Sequence, residues 1–212
     1  MAFYANSEST FTRHHSEEVD MAFSSIDCVL CGELAIYAST ELTTGKRLYD
    51  ALREHECKKA VELRTKMGED WFRSNLWNVN VDMAIRFAKS IRRTLTEGAL
   101  VITPAPFTAP GWNQQEYLAF WETLLRTRIK SVWFNKNWQF SNGCTFEFAV
   151  AHDADLPTYD DQGKSLTLRL GIELVTEAIR CVEADKFDAS KLRENLERLL
   201  ARDPKAREAF LV

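Results

Sequence analysis

The stretch WQFSNGCTFEFAVAH, residues 138–152, holds the most telling side chain in the chain. After Asn142 it reads as a helix, and Glu147 interrupts an otherwise apolar run of Phe146, Phe148, Ala149, Val150 and Ala151. Burying an unpaired carboxylate costs on the order of several kcal/mol. Such a residue therefore lies on an exposed face, pairs with a cation from another element, or is kept for a ligand. Its neighbours one turn away on the same face, Gly143 and Ala151, are both small, which leaves an open slot beside the carboxylate. Ser141 is suited to cap the helix, and the N–H groups of Asn142, Gly143 and Cys144 would then face the site unpaired. A helix start of this kind attracts anions.

Other residues fall at loop positions near the same rim. Tyr37 ends one apolar run, Trp112, Gln115 and Glu116 open a helical one, and Trp138 and Ser141 precede Glu147. Aromatics, carboxylates, an amide and a hydroxyl together suit a nucleobase and a sugar. The rings could stack on the base, the amide or carboxylate could bond its edge, and Glu147 could face the anomeric carbon. Each aromatic taken singly fits a core position equally well. The loop LTTGKR, 42–47, offers Thr43, Thr44, Gly45 and Arg47 at the start of a helix, a set suited to phosphate. The alternative is a threonine cap with Lys46 and Arg47 in solvent. The glycine spacing is not that of a P-loop.

These residues must be positioned by an alternating pattern. Strands are expected over 33–39, 99–104, 130–135 and 156–159. Helices are expected from about 46, through 55–76 with a break at Gly68, from Asn78 or Asn80 to Gly98, over 114–126, after Ser141, and over 170–184 and 189–202, with caps from Asp188 and Ser190. Pro104, Pro106 and Pro110 keep APFTAPGWN a loop. Strands alternating with helices imply a parallel sheet of about 4–5 strands covered on both faces. Such sheets bind ligands at the carboxyl ends of their strands, which brings the loops 38–46, 104–115 and 135–143 together.

The 212 residues suffice for one domain with a real core. A net charge of -4 argues against a nucleic-acid partner, and no apolar run approaches the length of a membrane span. The first twenty residues lack the features of a signal peptide, so residues 1–32 read as a flexible or loosely attached arm with His14-His15 in solvent. Five scattered cysteines suit a reducing cytoplasm. Cys28-Val-Leu-Cys31 is a lone CxxC, read as two semi-buried residues leading into a strand. No metal or cofactor enters the reading.

IYAS at 36–39, PGWNQQEYLAFW at 110–121 and FNKNWQFSNGCTFEFAVA at 134–151 resemble the nucleoside 2-deoxyribosyltransferase-like superfamily, which includes deoxyribosyltransferases and nucleoside 5′-monophosphate N-glycosidases. The resemblance covers roughly residues 33–185, with 186–212 as a C-terminal helical extension, and its most specific part runs from Asn137 to Ala151. It implies a flavodoxin/Rossmann-like three-layer α/β fold and a homodimer or larger assembly. It implies Glu147 as the nucleophile that forms a glycosyl-enzyme ester, Tyr37 as the residue orienting it, and Glu116 as the acidic residue near the base. Ser39, Thr43, Thr44, Gly45, Arg47, Trp112, Gln115, Trp138, Ser141 and Gly143 are the expected substrate contacts. The transferases carry aspartate where this chain has Ser141, and the nucleotide hydrolases carry serine, which can meet a phosphate. The expected activity is hydrolysis of the base–sugar bond of a nucleoside 5′-monophosphate or related nucleotide. Base exchange between nucleosides and a non-catalytic nucleotide-binding module are the alternatives.

Overall fold

The run Ala35–Ser39 is buried along its whole length, as a strand covered on both faces must be. It is the centre of the computed structural model, which describes residues 12–95 and 100–204. In chain order the elements are α1 (Thr12–Leu30), β1 (Ala35–Ser39), α2 (Lys46–Glu54), α3 (Ala60–Met67), α4 (Glu69–Phe72), α5 (Asn78–Thr94), β2 (Val101–Ile102), α6 (Gln114–Arg128), β3 (Ile129–Phe134), α7 (Asn142–Asp153), β4 (Thr158–Tyr159), α8 (Leu168–Ala184) and α9 (Ser190–Arg202). The four strands form one parallel sheet in the order β2-β1-β3-β4. The crossovers from β1 reverse direction between β1 and β3, and that point is where an open α/β sheet leaves a crevice.

Alternation along β1 builds the three layers. Ala35 and Tyr37 face a large core with Val132, Phe134, Phe120 of α6 and Phe148 of α7. Ile36 and Ala38 face a smaller cluster with Phe87 and Ile91 of α5. Helices α8 and α9 extend the larger side, where Ile172, Val175, Leu192 and Leu199 are buried. The expected three-layer α/β fold is thus present, with four strands.

Several local expectations are corrected. Residues 12–30 are not a loose arm but a helix whose Val19, Ala22, Phe23, Ile26 and Leu30 pack on the large core. Cys28 and Cys31 close that helix and are both exposed rather than semi-buried. Neither Asn78 nor Asn80 caps α5. A π-helical turn, Arg73–Trp77, joins α4 to α5 without interruption. Asn80 is instead buried, donating from Nδ2 to the Leu42 carbonyl at 2.8 Å. The cap of α9 comes from Asp188, whose Oδ1 accepts the Ser190 N–H. Strand β2 holds two residues of the expected six. Residues 1–11, Gly98 with its neighbours 96–99, and residues 205–212 lie outside the described residues, as do the side chains of His14 and His15.

Candidate active site

Tyr37 and Ser39 are two apart on β1 and so point to the same face of the sheet, the face covered by α7. Helix α7 starts where the sequence places it, with Ser141 as N-cap. Its second turn brings Glu147 over the end of β1. The Tyr37 hydroxyl donates to Glu147 Oε1 at 2.7 Å, and the Ser39 hydroxyl donates to Oε2 at 2.6 Å. Glu147 is 7% exposed, and no cation pairs with it among the described residues. Burial pushes its carboxyl up to about 7, against the opposing pull of the Ser39 and Tyr37 hydrogen bonds. Both protonation states are therefore populated near neutral pH. Burial, and then the Glu147 charge, hold the Tyr37 phenol well above its ordinary range, so it remains a donor. The Cys144 thiol is pushed up for the same two reasons and stays protonated.

Glu147 opens onto a cleft of about 510 Å³ at the carboxyl ends of the strands, a size ordinary for small-molecule sites. A Cβ placed on Gly143 would meet only Ser141 Oγ, at 3.9 Å, so the slot beside Glu147 is open on that side. On the other side Ala151 is fully buried, and the slot is closed. The walls are largely apolar, with Leu42, Pro104, Phe107, Leu118, Trp121 and Phe146. Thr40 also lines the cleft, and its buried hydroxyl has no hydrogen-bond partner among the described residues.

The expected site residues divide sharply. Glu147, Ser141, Gly143, Thr43 and Thr44 all line the cleft. Tyr37 and Ser39 stand behind Glu147, so Ser39 serves the carboxylate and is not among the residues lining the cleft. The start of α7 is less free than its sequence suggested. Thr44 Oγ1 accepts the Asn142 N–H at 3.0 Å, and Ser141 Oγ accepts the Cys144 N–H at 3.4 Å.

The others are elsewhere. Glu116 is the N3 residue of α6 and closes a capping box with Asn113. Gln115 is exposed, and its neighbour Gln114 reaches the cleft instead. Trp112 belongs to a buried ring cluster with Phe107, Tyr117 and Phe120. Trp138 packs between Phe134 and Phe148. Gly45 has φ 139°, and a side chain there would strike the Glu41 carboxylate, which accepts the Lys46 N–H at 2.8 Å. Its role is to let the chain turn into α2. Arg47 lies on the far side of that loop, in a second, mixed-charge cavity, donating from Nε to Asn80 Oδ1 at 3.0 Å.

Sequence reasoning missed one wall entirely. Lys191, Glu194 and Asn195 of α9 line the cleft. Asn195 pins α9 to α7, donating from Nδ2 to the Asn142 carbonyl at 3.0 Å and to Thr145 Oγ1 at 2.7 Å. Nothing local marks these three as site residues, because the docking of α9 on α7 is a long-range fact. Trp77 was missed too, although a large aromatic at the start of a crossover helix is a readable signal. Among the described residues no group of three or more His, Cys, Asp or Glu side chains could hold a metal ion, and no helix is long and apolar enough to cross a membrane.

A buried carboxylate held by two hydroxyl donors at the end of a mostly apolar cleft can do two things. It can add to an electrophilic carbon, or it can exchange a proton near neutral pH. No protein-family model, curated protein or solved structure matches the chain.

Proposed function

We propose that the chain is an N-glycosidase of the nucleoside 2-deoxyribosyltransferase-like kind, cleaving the base–sugar bond of a nucleoside 5′-monophosphate or related nucleotide. One observation carries the reading: the Glu147 carboxylate is held by Tyr37 and Ser39, with no cation paired to it among the described residues, at the end of a cleft open beside Gly143. The two hydroxyl bonds favour the ionised form that burial opposes, and they fix its direction. Ionised Glu147 attacks the anomeric carbon as the C–N bond breaks. The carboxylate offsets the developing positive charge of the sugar and then traps it as an ester. The base leaves with the bonding electrons and takes a proton from water, since Glu116 is engaged in the α6 cap. A second water adds to the anomeric carbon, releases Glu147 as carboxylate and gives its proton to solvent.

The phosphate part of the reading now rests on Thr43, Thr44 and Ser141, together with Lys191. Lys191 is the one cation lining the cleft among the described residues, and it is paired with Glu194 at 2.6 Å. Arg47, engaged with Asn80, is not part of it. We further propose a homodimer. The half-buried Trp133–Tyr159 pair, which joins β3 to the edge strand β4 with ring centroids 5.1 Å apart, supports it. Sedimentation showing only a 24.4 kDa species at micromolar concentration would remove that part. Five unpaired cysteines support a reducing, cytoplasmic setting.

The test is incubation with a panel of nucleoside 5′-monophosphates and nucleosides, followed by chromatography. Release of free base together with sugar phosphate is expected. A new nucleoside formed only when a second base is added would make the chain a transferase acting through the same ester. No product from any member of the panel, despite binding, would make it a nucleotide-binding module.

A further inference from the structure

Five aromatic side chains line the cleft: Trp77, Phe107, Tyr117, Trp121 and Phe146. Four of them are already engaged. Phe107, Tyr117 and Trp121 belong to one ring cluster. The Tyr117 hydroxyl is further tied to the backbone of Ala109. Phe146 lies under the Arg198 guanidinium, 5.4 Å from ring centroid to cation. Trp77 is different. It is half-buried and has no ring or cation partner among the described residues.

Its backbone is also unusual. Trp77 closes the π-helical turn Arg73–Trp77, which lies inside an otherwise continuous helix from Glu69 to Thr94. Such a turn takes in an extra residue and rotates the preceding side chains by about 100° relative to the helix that follows. Single π turns of this kind are frequent at functional sites. The start of α5 is held in place as well. Asn80, three residues on and on the same helix face, donates to the Leu42 carbonyl and accepts from Arg47, so it latches α5 both to the loop between β1 and α2 and to the first turn of α2. Leu42, Thr43 and Thr44 of that loop line the cleft beside Trp77.

We infer that Trp77 is the stacking surface for the planar base of the ligand, the role that Trp112 and Trp138 cannot fill from the core. This rests on the proposed nucleotide reading of the cleft. A large ring on the cleft wall with no ring or cation partner among the described residues, held by a latched helix start, offers stacking at little conformational cost. The base edge then has within the same cleft the Thr40 hydroxyl, without a hydrogen-bond partner among the described residues, and the Gln114 amide. Trp77 is thus a specificity-determining residue that touches the leaving base, while Glu147 works on the sugar.

Binding separates this inference from the catalytic one. Free adenine, free cytosine and their nucleoside monophosphates are titrated into Glu147→Gln by calorimetry, and then into the same protein carrying Trp77→Ala or Trp77→Phe. Loss of a base–aromatic stack weakens binding by roughly 5- to 150-fold. Trp77→Ala should show that loss for free base and nucleotide alike, and Trp77→Phe should stay within a few fold of the parent. The melting temperature of each variant checks that the π turn still folds. Unchanged affinity in a folded Trp77→Ala protein, or no base binding by the parent, overturns the inference. Trp77-dependent base binding, combined with no base release from any nucleotide by the unmutated protein, would uphold Trp77 and sink the glycosidase reading instead.

Discussion

Replacing Glu147 by glutamine should abolish a pH dependence of stability that the native chain carries. Burial raises the Glu147 carboxyl from an ordinary 4.5 to about 7, so between those values the folded state binds a proton that the unfolded state has released. Stability then falls with rising pH. The contribution is fully present below about 4.5 and is lost as pH rises through about 7. At about 1.4 kcal/mol per pH unit, the interval corresponds to about 3 kcal/mol, most of it spent between pH 5 and pH 8. Glutamine keeps the shape and offers both hydroxyls a partner, but it cannot ionise. Urea unfolding of both proteins at pH 5 and pH 8 gives the measurement. The difference between the two proteins cancels every other titrating group, including the half-buried His152, whose own pKa is lowered chiefly by desolvation. The glutamine variant should gain about 2–3 kcal/mol on the native protein between the two pH values. Parallel curves would refute the reasoning, because they would mean a carboxylate ionised at its ordinary pKa.

Three further outcomes follow from the site. Ser39→Ala removes a hydrogen bond to the ionised carboxylate, a loss of about 1.5–3 kcal/mol, so the acid limb of kcat/KM for base release should move up by roughly one to two pH units; an unmoved limb would detach Ser39 from Glu147. Glu116→Ala opens the capping box of α6 and should lower stability by about 1 kcal/mol, while base release stays within about twofold. Lys191→Ala should weaken a nucleoside monophosphate relative to its nucleoside by about tenfold or less, a modest effect because the Lys191–Glu194 pair is exposed; Arg47→Ala should leave that ratio unchanged.

What could be read from the sequence was local. Ser141 and Gly143 set the register of α7, and the apolar run before Ser39 marked the central strand, so Glu147, Tyr37 and the loop threonines were found together. Alternation along a strand also puts Tyr37 and Ser39 on one face, and that spacing held enough to pair both with Glu147. Helix α1 carries Val19, Ala22, Phe23, Ile26 and Leu30 at helical spacing, a stripe whose burial depends on the core it packs against. The rest depended on packing. Trp112 and Trp138 sit beside loops, where an aromatic is equally at home in a core, and the core took both. Thr43–Thr44 and Lys46–Arg47 are neighbours in sequence, yet the turn at Gly45 sends them to opposite cavities. The docking of α9 is fixed by Asn195 against α7, a contact 50 residues or more distant in the chain that no local pattern announces.

The central claim is that Glu147 is the nucleophile. Its most direct test is the rate of base release by Glu147→Ala beside the unmutated protein, on whichever nucleotide of the panel turns over fastest, with melting curves recorded on the same samples. Loss of a nucleophile should lower kcat by about three orders of magnitude or more in a protein that still melts cooperatively. A variant that keeps its activity and merely melts earlier would make Glu147 a structural residue and contradict the account.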